Sequence, residues 1–302
     1  MEFYLEARKS MSETKADIER LTEIANLIRI KDIKMVINAG SGHVGGGMSV
    51  AEILAVLYFH VMRIDPQNPE WAERDRFILS KGHAAFALYA ALSQVGYIDD
   101  DILFSAYSVE SCCQAHPELG RCPGVEMSTG PLGQGLSAGI GMALGARMRK
   151  RDSRVYVVMG DGECNEGQVW EAMMSASQYK LGNLVAVIDY NKLALSAGID
   201  DVMSLEPLAD KVTAFGWNVF SCDGHSVEEL VKAFDEISAI DNSKPSLLIA
   251  HTVKAKGIKY LEGRQESHAT TIPLDKGREV LGDLGCSQEE IDEFMSWVKE
   301  TK

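Results

Sequence analysis

The second half of the chain alternates short apolar runs with amphipathic stretches, and this alternation is the strongest constraint on the fold. The apolar runs predict strands at 154–159, 184–189, 217–222 and 246–251. The amphipathic stretches predict helices at 132–150, 166–180, 205–215 and 227–240. Crossover helices join parallel strands, so the pattern predicts an α/β fold, a mostly parallel sheet with helices on both faces. Ligands of such sheets bind at the carboxyl ends of the strands.

The first half of the chain continues the pattern less regularly. A helix is predicted over 14–39, and Ser49 with Glu52 predicts a capping box at the start of a second helix. A strand at 76–80 leads to a helix at 84–95, while 108–130 lacks periodicity and predicts a long ordered loop. Residues 274–298 predict one or two surface helices. We expect a single domain over 1–302 with a C-terminal helical extension.

Charge and cysteine content exclude several classes of partner. The 302 residues carry a formal net charge of −14 with dispersed Lys and Arg, which argues against nucleic acid or an anionic membrane as partner. The six cysteines form no C-x-x-C pair, so we expect reduced thiols. Residues 1–15 lack the apolar core of a secretion signal, and every apolar run is too short to span a bilayer. These features predict a cytoplasmic protein without a membrane segment.

Two predicted strands end in oxygen-bearing side chains. Asp161 follows the strand at 154–159, between Gly160 and Gly162, and Asn191 follows the strand at 184–189. Neighbouring parallel strands end at the same edge of a sheet, so a carboxylate and an amide oxygen converge there. Mg²⁺ prefers such oxygen ligands and often shares them with phosphate. G-D-G alone is also compatible with an ordinary turn, but the paired asparagine favours a metal site.

Four histidines lie in predicted loops: His43, His83, His116 and His268. Each alone is compatible with a structural role, but several imidazoles around one pocket suit a polyhydroxylated, anionic substrate. Their spacing does not match a zinc site, and no cysteine accompanies them at zinc-site intervals. Glycines over 128–135 predict a tight turn into a helix, whose N-terminus packs closely or faces an anion.

Together these residues resemble a known family. S-G-H-x-G-G, S-K-G-H-A-A, H-P-E, T-G-P-L-G-Q-G, G-D-G-E with E-G-x-x-W-E-A, and D-Y-N-K occur in the order found in the diphosphate-binding domain of transketolase. The resemblance runs from about 24 to 268. A transketolase also has a pyrimidine-binding and a C-terminal domain. The chain therefore resembles the N-terminal subunit of a split transketolase.

The resemblance implies an enzyme that transfers a two-carbon ketol unit from a ketose phosphate to an aldose phosphate, with thiamine diphosphate and Mg²⁺, or Ca²⁺ or Mn²⁺. It implies a role in carbohydrate metabolism, through the pentose phosphate pathway. By position, the metal ligands would be Asp161, Asn191 and the Leu193 carbonyl. The cofactor-binding residues would be His83, Gly130, Leu132, Gly162, Asn191 and His268, with Gly130 and Leu132 lining its rings.

The resemblance also assigns catalytic roles. His43 and His268 would handle protons at the sugar hydroxyl, His116 would bind the hydroxyl next to the donor carbonyl, and Glu166 would link two active sites across a dimer interface. The glutamate that protonates the aminopyrimidine lies, in the family, on the pyrimidine-binding half. We therefore expect the partner to be a C-terminal transketolase subunit, in a heterotetramer, and we expect this chain to be catalytically incomplete alone.

Departures from the family pattern leave the sugar open. Val44, Phe86 and Ala269 replace common family residues, and Leu195-Ser196 stands where isoleucine-aspartate is common. Pentose, hexose, sulfonated or branched sugars all remain compatible with the sequence. Deoxyxylulose phosphate synthase shares the metal motif but is one long chain, and a 2-oxo acid dehydrogenase α-subunit would lack the two histidine motifs. A non-catalytic partner that has kept the fold is the remaining alternative.

Overall fold

Five parallel strands form one sheet, as the alternation predicts. The computed structural model describes residues 11–240 and 242–301. The strands are β1 (Arg76–Leu79), β2 (Val155–Gly160), β3 (Leu184–Tyr190), β4 (Asn218–Asp223) and β5 (Ser246–His251). Their order across the sheet is β1-β2-β3-β5-β4, and every neighbouring pair is parallel. The predicted α/β fold is confirmed.

Helices cover both faces of the sheet, because successive side chains of each strand point to opposite faces and both faces are apolar. On β2, Tyr156 and Val158 belong to one buried cluster, and Val155 and Val157 belong to the other. The helices that pack on the first face include α1 (Met11–Ala39), α3 (Ala51–Val56), α4 (Ala85–Val95) and α10 (Val227–Ala239). The second face carries α6 (Gly135–Met148), α7 (Gly167–Gln178) and α9 (Leu208–Ala214).

The predicted capping box at Ser49 is wrong. Ser49 is the last residue of α2 (Val44–Ser49), and Val50 separates α2 from α3 with φ −96° and ψ 2°. The Ser49 hydroxyl donates to Asp189 Oδ2 at 2.6 Å, and Glu52 pairs with Arg29 at 2.5 Å. Both side chains make long-range buried contacts, which a local capping pattern does not reveal. The helical segment ends in a π-helical turn over Leu57–Val61.

Other boundaries agree closely with expectation. The segment 108–130 has no regular helix or strand, as predicted. Three short helices were not predicted: α2, α5 (Asp100–Leu103) and α8 (Ile199–Met203). Each spans at most six residues, too short for a helical period to be visible.

The C-terminal segment forms two helices, α11 (Leu274–Asp283) and α12 (Gln288–Thr301). They are not purely surface helices, because Val280, Leu281 and Phe294 are buried in the core that α1 shares. The single-domain organisation over 1–302 stays a prediction. Across 11–240 and 242–301, helices of the length and apolarity needed to cross a bilayer are absent. Residues 1–10, part of the segment tested for a secretion signal, lie outside the described residues.

Candidate active site

The sheet brings the two predicted metal-binding segments together. Gly160 of β2 pairs in register with Asp189 of β3, so Asp161 and Asn191 emerge at the same carboxyl edge. Asp161 Oδ1 accepts from the Gly162 amide at 2.7 Å, and Oδ2 accepts from the Lys192 amide at 2.5 Å. These bonds tie the loops after β2 and β3 to each other, and they fix the direction of the Asp161 carboxylate.

The loop after β3 turns sharply at Lys192, whose φ is 62°. The turn is held by the Asn191 side chain, whose Oδ1 accepts from the Leu193 amide at 3.1 Å. Leu193 thereby lines the cavity together with Asn191 and Asp161. The residues that line it therefore carry a carboxylate, an amide and a main-chain carbonyl.

A cavity of about 500 Å³ lies over this edge of the sheet. It is lined by eight of the sequence-predicted site residues: His83, Gly130, Leu132, Asp161, Gly162, Asn191, Leu193 and His268. The ring of His43 lies close to those of His83 and His268, and the ring of His116 lies close to that of His43, as described below. Glu166 is not among the residues that line the cavity.

Two lysines at the cavity were not assigned from the sequence. Lys81 is 2% exposed, and its ammonium contacts the Asp189 carboxylate and, at 3.0 Å, the Gly46 carbonyl. Lys254 donates from Nζ to the Leu193 carbonyl at 3.1 Å and to the Ala194 carbonyl at 3.2 Å. Burial, together with the neighbouring charge of Lys81, lowers the pKa of Lys254 to about 8. The cavity thus offers two cations to an anionic ligand.

Asp189 anchors this arrangement beneath the cavity. It is fully buried and accepts hydrogen bonds from Lys81, Ser49 and Thr252. Although burial acts to raise its pKa, the charge of Lys81 and these hydrogen bonds hold the pKa below the usual range. The strand end of β3 therefore carries a fixed negative charge that positions Lys81.

The four loop histidines form one cluster around His43. The centroid of the His43 ring lies 5.6 Å from that of His83, 6.0 Å from that of His116 and 5.6 Å from that of His268. His83 and His268 are 5.1 Å apart, centroid to centroid. Segments separated by more than 200 positions thus supply one group of imidazoles.

The surroundings favour the neutral form of three of these imidazoles, those of His43, His83 and His268. Burial, then the charge of Lys254, lowers the pKa of His268 to about 4. Burial, then Lys81, holds the pKa of His83 well below its ordinary value, and burial lowers that of His43. A neutral imidazole can accept a proton from a hydroxyl near pH 7, so the cluster is suited to proton transfer and hydroxyl binding.

Three of the residues that line the cavity are glycines at which a side chain would change the space available: Gly46, Gly130 and Gly162. A Cβ on Gly46 would lie 3.1 Å from His83 Nε2 and 3.2 Å from Lys81 Nζ. Gly130 has φ 147°, and a Cβ there would lie 3.1 Å from the His116 ring. A Cβ on Gly162 would meet nothing nearer than 3.9 Å, so this glycine keeps the wall open rather than serving packing.

The two glutamates after Asp161 behave differently. Glu163 is buried: its Oε1 accepts from the Gly133 amide at 2.7 Å, and its Oε2 accepts from the Gly160 amide at 3.0 Å. It ties the glycine-rich loop to the end of β2, a role not foreseen from the sequence. Glu166 accepts from Gln168 Nε2 at 2.8 Å, and the same nitrogen donates to the Leu132 carbonyl at 3.2 Å. The predicted role of Glu166 between two active sites stays a prediction.

The residues present fit a diphosphate bound through a divalent cation. Along 11–240 and 242–301, His, Cys, Asp and Glu side chains form no metal-binding group of three, so a cation here would need amide and main-chain oxygens in addition to a carboxylate. Asp161, Asn191 and the Leu193 carbonyl supply that set, which suits Mg²⁺ rather than Zn²⁺. Asn165 Oδ1, at the same cavity, is buried without a hydrogen-bond partner. Lys81 and Lys254 add positive charge for phosphate oxygens.

A parallel sheet with a cavity of this kind at the carboxyl ends of its strands is characteristic of α/β proteins of the thiamine diphosphate-binding class. The family described as "Transketolase, thiamine diphosphate binding domain" matches residues 21–295. The chain belongs to the transketolase family.

Several relatives have similar length. The chain is 41% identical over 274 residues to 6-deoxy-6-sulfo-D-fructose transketolase subunit SqwG of Clostridium sp. (strain MSTE9), covering 91% of this chain and 98% of that protein. It is 42% identical over 260 residues to one of the subunits of the apulose-4-phosphate transketolase of Phocaeicola vulgatus, covering 86% and 92%.

A solved transketolase structure is longer. The structure of transketolase from Campylobacter jejuni superposes with a TM-score of 0.82 at 34% identity, covering 93% of this chain and 46% of that one. This chain therefore spans less than half the length of that transketolase, while it matches nearly all of the two proteins named as subunits.

Proposed function

We propose that this chain is the diphosphate-binding subunit of a two-chain transketolase that moves a two-carbon ketol unit from a ketose phosphate, or a modified ketose, to an aldose phosphate. One observation carries the proposal. Asp161, Asn191 and Leu193 line the same cavity as His83 and His268. A cation site for a diphosphate and a group of neutral proton acceptors are thus combined in one place.

The proposed cofactor is thiamine diphosphate with Mg²⁺, or Ca²⁺ or Mn²⁺. The cofactor supplies the carbanion chemistry, and the protein supplies placement and electrostatics. Asp161, Asn191 and the Leu193 carbonyl would hold the metal. The Leu193 carbonyl contacts Lys254 at 3.1 Å, but a carbonyl oxygen has two lone pairs, so one remains for a cation. His83, Gly162, Lys81 and Lys254 would contact the diphosphate.

The histidines would act on the sugar. His43 and His268 would accept and return the proton of the sugar hydroxyl, and their lowered pKa values keep them neutral for this task. His116, 6.0 Å from His43 between ring centroids, would bind the hydroxyl next to the donor carbonyl. Gly130 and Leu132 would line the cofactor rings.

The proposed donor is a modified ketose, such as a sulfonated or branched sugar, rather than a common pentose phosphate. Two relatives that match the chain over nearly their full length are named for 6-deoxy-6-sulfo-D-fructose and apulose 4-phosphate. Among the departures from the family pattern, Leu195 and Ser196 line the cavity. Val44 and Phe86 are buried in the core, so they act on cavity shape only through packing.

The proposed partner is a C-terminal transketolase subunit that supplies the pyrimidine-binding half, in a heterotetramer of two copies of each chain. The relatives named as subunits support a partner chain. The proposed location is the cytoplasm, because the cysteines in the described part of the chain are all free thiols, which suits a reducing compartment.

A ketol-transfer assay tests the proposal. The chain is assayed alone and with the product of the adjacent reading frame, with thiamine diphosphate and Mg²⁺. The donors are xylulose 5-phosphate, fructose 6-phosphate, 6-deoxy-6-sulfofructose and apulose 4-phosphate. We expect transfer only in the mixture and fastest with a modified ketose. Fastest transfer from xylulose 5-phosphate would contradict the donor proposal.

Failure of the mixture with every donor has two meanings, which a second measurement separates. Calorimetry of the mixture with thiamine diphosphate and Mg²⁺ reports cofactor binding without turnover. Binding without transfer would retain the cofactor assignment and reject these four donors. Absence of binding would leave the fold as that of a non-catalytic partner.

A further inference from the structure

A buried carboxylate lies beside the proposed metal-binding loop and is bound by the chain itself. Glu163 is 2% exposed and follows Asp161 by two positions. Its Oε1 accepts from the Gly133 amide at 2.7 Å and from the Ser80 hydroxyl. Its Oε2 accepts from the Gly160 amide at 3.0 Å. Both oxygens of this carboxylate are therefore engaged by donors of the protein.

Ser80 extends these contacts to the start of α6. Ser80 is fully buried, and its hydroxyl donates to Glu163 while it accepts from the Gly135 amide at 3.1 Å. Gly135 is the first residue of α6, where a main-chain amide has no acceptor inside the helix. A Cβ on Gly135 would collide with the Ser80 hydroxyl. We call Glu163, Ser80 and the three glycine amides bound to them the Glu163 network.

The Glu163 network joins three segments, and each of them carries a residue that lines the cavity. These residues are His83, which follows Ser80 in its segment, Leu132, which precedes Gly133, and Asp161, which follows Gly160. One carboxylate therefore links the loop proposed to line the cofactor rings to the loop proposed to hold the metal.

We propose that Glu163 is a positioning residue, which holds these two loops at a fixed separation without binding the cofactor. This inference rests on the proposed function. A carboxylate accepts hydrogen bonds at both oxygens, whereas an amide accepts at one end and donates at the other. In Glu163→Gln, the NH₂ group would face the Gly133 or the Gly160 amide, which also donates. One link between the two loops would therefore be lost.

Direct metal binding by Glu163 is the alternative role, because Glu163 also lines the cavity. Three hydrogen bonds to its two oxygens favour positioning. The two roles differ in a measurable way. Loss of a direct ligand would weaken cofactor binding without loosening the glycine-rich loop, whereas loss of a positioning residue would do both.

Hydrogen exchange of the full chain, measured without cofactor or partner, tests the positioning role. The Gly133 amide is bound to Glu163, so it should exchange slowly in wild type. We expect Glu163→Gln to raise the exchange rate within 128–135 by at least about tenfold, because a hydrogen bond to a charged acceptor is lost. Unchanged exchange in this segment would overturn the proposal.

Asp75 provides the matched control, since it is a similarly buried carboxylate at the opposite, amino edge of the sheet. It is 3% exposed and accepts from the main-chain amides of Arg63 at 2.9 Å and Arg154 at 2.8 Å. Asp75→Asn should lower thermal stability by a similar amount and leave both exchange within 128–135 and cofactor binding unchanged. If Asp75→Asn weakens cofactor binding as much as Glu163→Gln does, the effect is one of general stability and the proposal is wrong.

Calorimetric titration of the assembled protein with thiamine diphosphate and Mg²⁺ measures the consequence, at a temperature where each variant is folded. Glu163→Gln should weaken binding by about 10- to 100-fold, as is typical when a residue that orients metal ligands is changed. Ser80→Ala, which removes only a hydroxyl, should weaken it less. The double variant should lose less affinity than the product of the two single losses, because both residues belong to one network. Losses that multiply would show that the two residues act independently and would overturn the network.

The two measurements separate this inference from the proposed function. Faster exchange within 128–135 with unchanged cofactor affinity would overturn the positioning role. Weaker binding with unchanged exchange would assign Glu163 to the metal instead. A wild-type assembly that binds no cofactor would contradict the proposed function, while hydrogen exchange would still report whether Glu163 holds the loop.

Discussion

At the scale of single residues, Asp161 is the side chain on which cofactor binding should depend most. Asp161→Asn keeps the size of the side chain and removes its charge. The change should weaken thiamine diphosphate binding in the presence of Mg²⁺ by on the order of 10- to 100-fold or more, because a hard anionic ligand is lost. Calorimetric titration of the assembled protein measures this, with Asp152→Asn as an exposed control.

His268 should affect turnover more than cofactor affinity. A group that accepts a proton in the transition state contributes typically about 10²- to 10⁴-fold, so we expect His268→Ala to lower kcat by at least about 10². The pKa of about 4 means that the imidazole is neutral at pH 7 and is protonated only as the pH falls towards that value. The contribution of His268 should therefore persist from neutral pH down to about that value.

Steady-state kinetics of the assembled enzyme, measured as a function of pH, test this prediction. His60→Ala is the matched control, since His60 bonds to Asp235 at 3.1 Å and is not among the residues lining the cavity. Equal kcat values for wild type and His268→Ala would remove His268 from the catalytic group. A loss of cofactor affinity that accounts for the whole effect would assign it to binding alone.

The sequence singles out the four histidines and Asp161 because His43 and His83 lie in glycine-containing motifs, His116 and His268 lie in predicted loops, and Asp161 lies at a strand end. Lys254 was missed because it lies in no such motif. Its importance arises only when the segment after β5 packs against the loop after β3, a contact across 61 positions. The burial of a lysine leaves no periodic pattern in the sequence, so this part of the site could be identified only from the structure.

At the scale of elements, a buried ionic network joins three segments beneath the site. Glu52 of α3 pairs with Arg29 of α1 at 2.5 Å and with His225 Nδ1 at 3.1 Å. His225 Nε2 accepts from the Val253 amide at 2.8 Å, one residue before Lys254. Since Nε2 is the acceptor, Nδ1 carries the proton donated to Glu52. The network thus positions the segment that carries Lys254.

Glu52→Gln should destabilise the fold by about 3–5 kcal/mol, because it leaves the buried Arg29 without its anionic partner. The hydrogen bond from His225 and the charge of Arg29 outweigh burial and hold the pKa of Glu52 below 4.5. A depressed pKa contributes stability that is present above the unfolded value and is lost as the pH falls through the folded value. The difference between wild type and variant should therefore shrink in acid.

Urea unfolding at several pH values measures this contribution. Glu73→Gln is the control, because Glu73 pairs with Arg151 at 3.3 Å with half of its side chain exposed, and such pairs contribute under about 1 kcal/mol. If Glu52→Gln lowers the free energy of unfolding by no more than the control does, water screens the charges of the network.

Strands and helices were predictable where the apolar residues of the sequence recur with a clear periodicity. The five strands and the longer helices follow from apolar runs and helical spacing, and their boundaries shift by only a few residues. The failure at Ser49 has a physical cause: its hydroxyl donates to the Asp189 carboxylate, 140 positions away, instead of accepting from a nearby main-chain amide. A capping pattern describes local hydrogen bonds and carries no information about a competing acceptor on another element.

At the scale of the whole molecule, the cavity is open on a side bordered by exposed apolar residues. Leu195 is 67% exposed, and on α8 Val202 is 51% and Met203 60% exposed. Leu195 and Val202 also line the cavity. Because the chain spans 46% of the superposed transketolase, we expect the partner chain to cover this rim.

Met203→Asp should therefore weaken assembly with the partner at least about tenfold, since a charge would be buried at an apolar contact. The isolated chain should keep its thermal stability, because this side chain is exposed in it. Sedimentation of equimolar mixtures measures assembly, and Leu27→Asp, an exposed leucine on α1, is the control. If Met203→Asp assembles with the partner as tightly as wild type and Leu27→Asp do, the partner binds elsewhere on the chain.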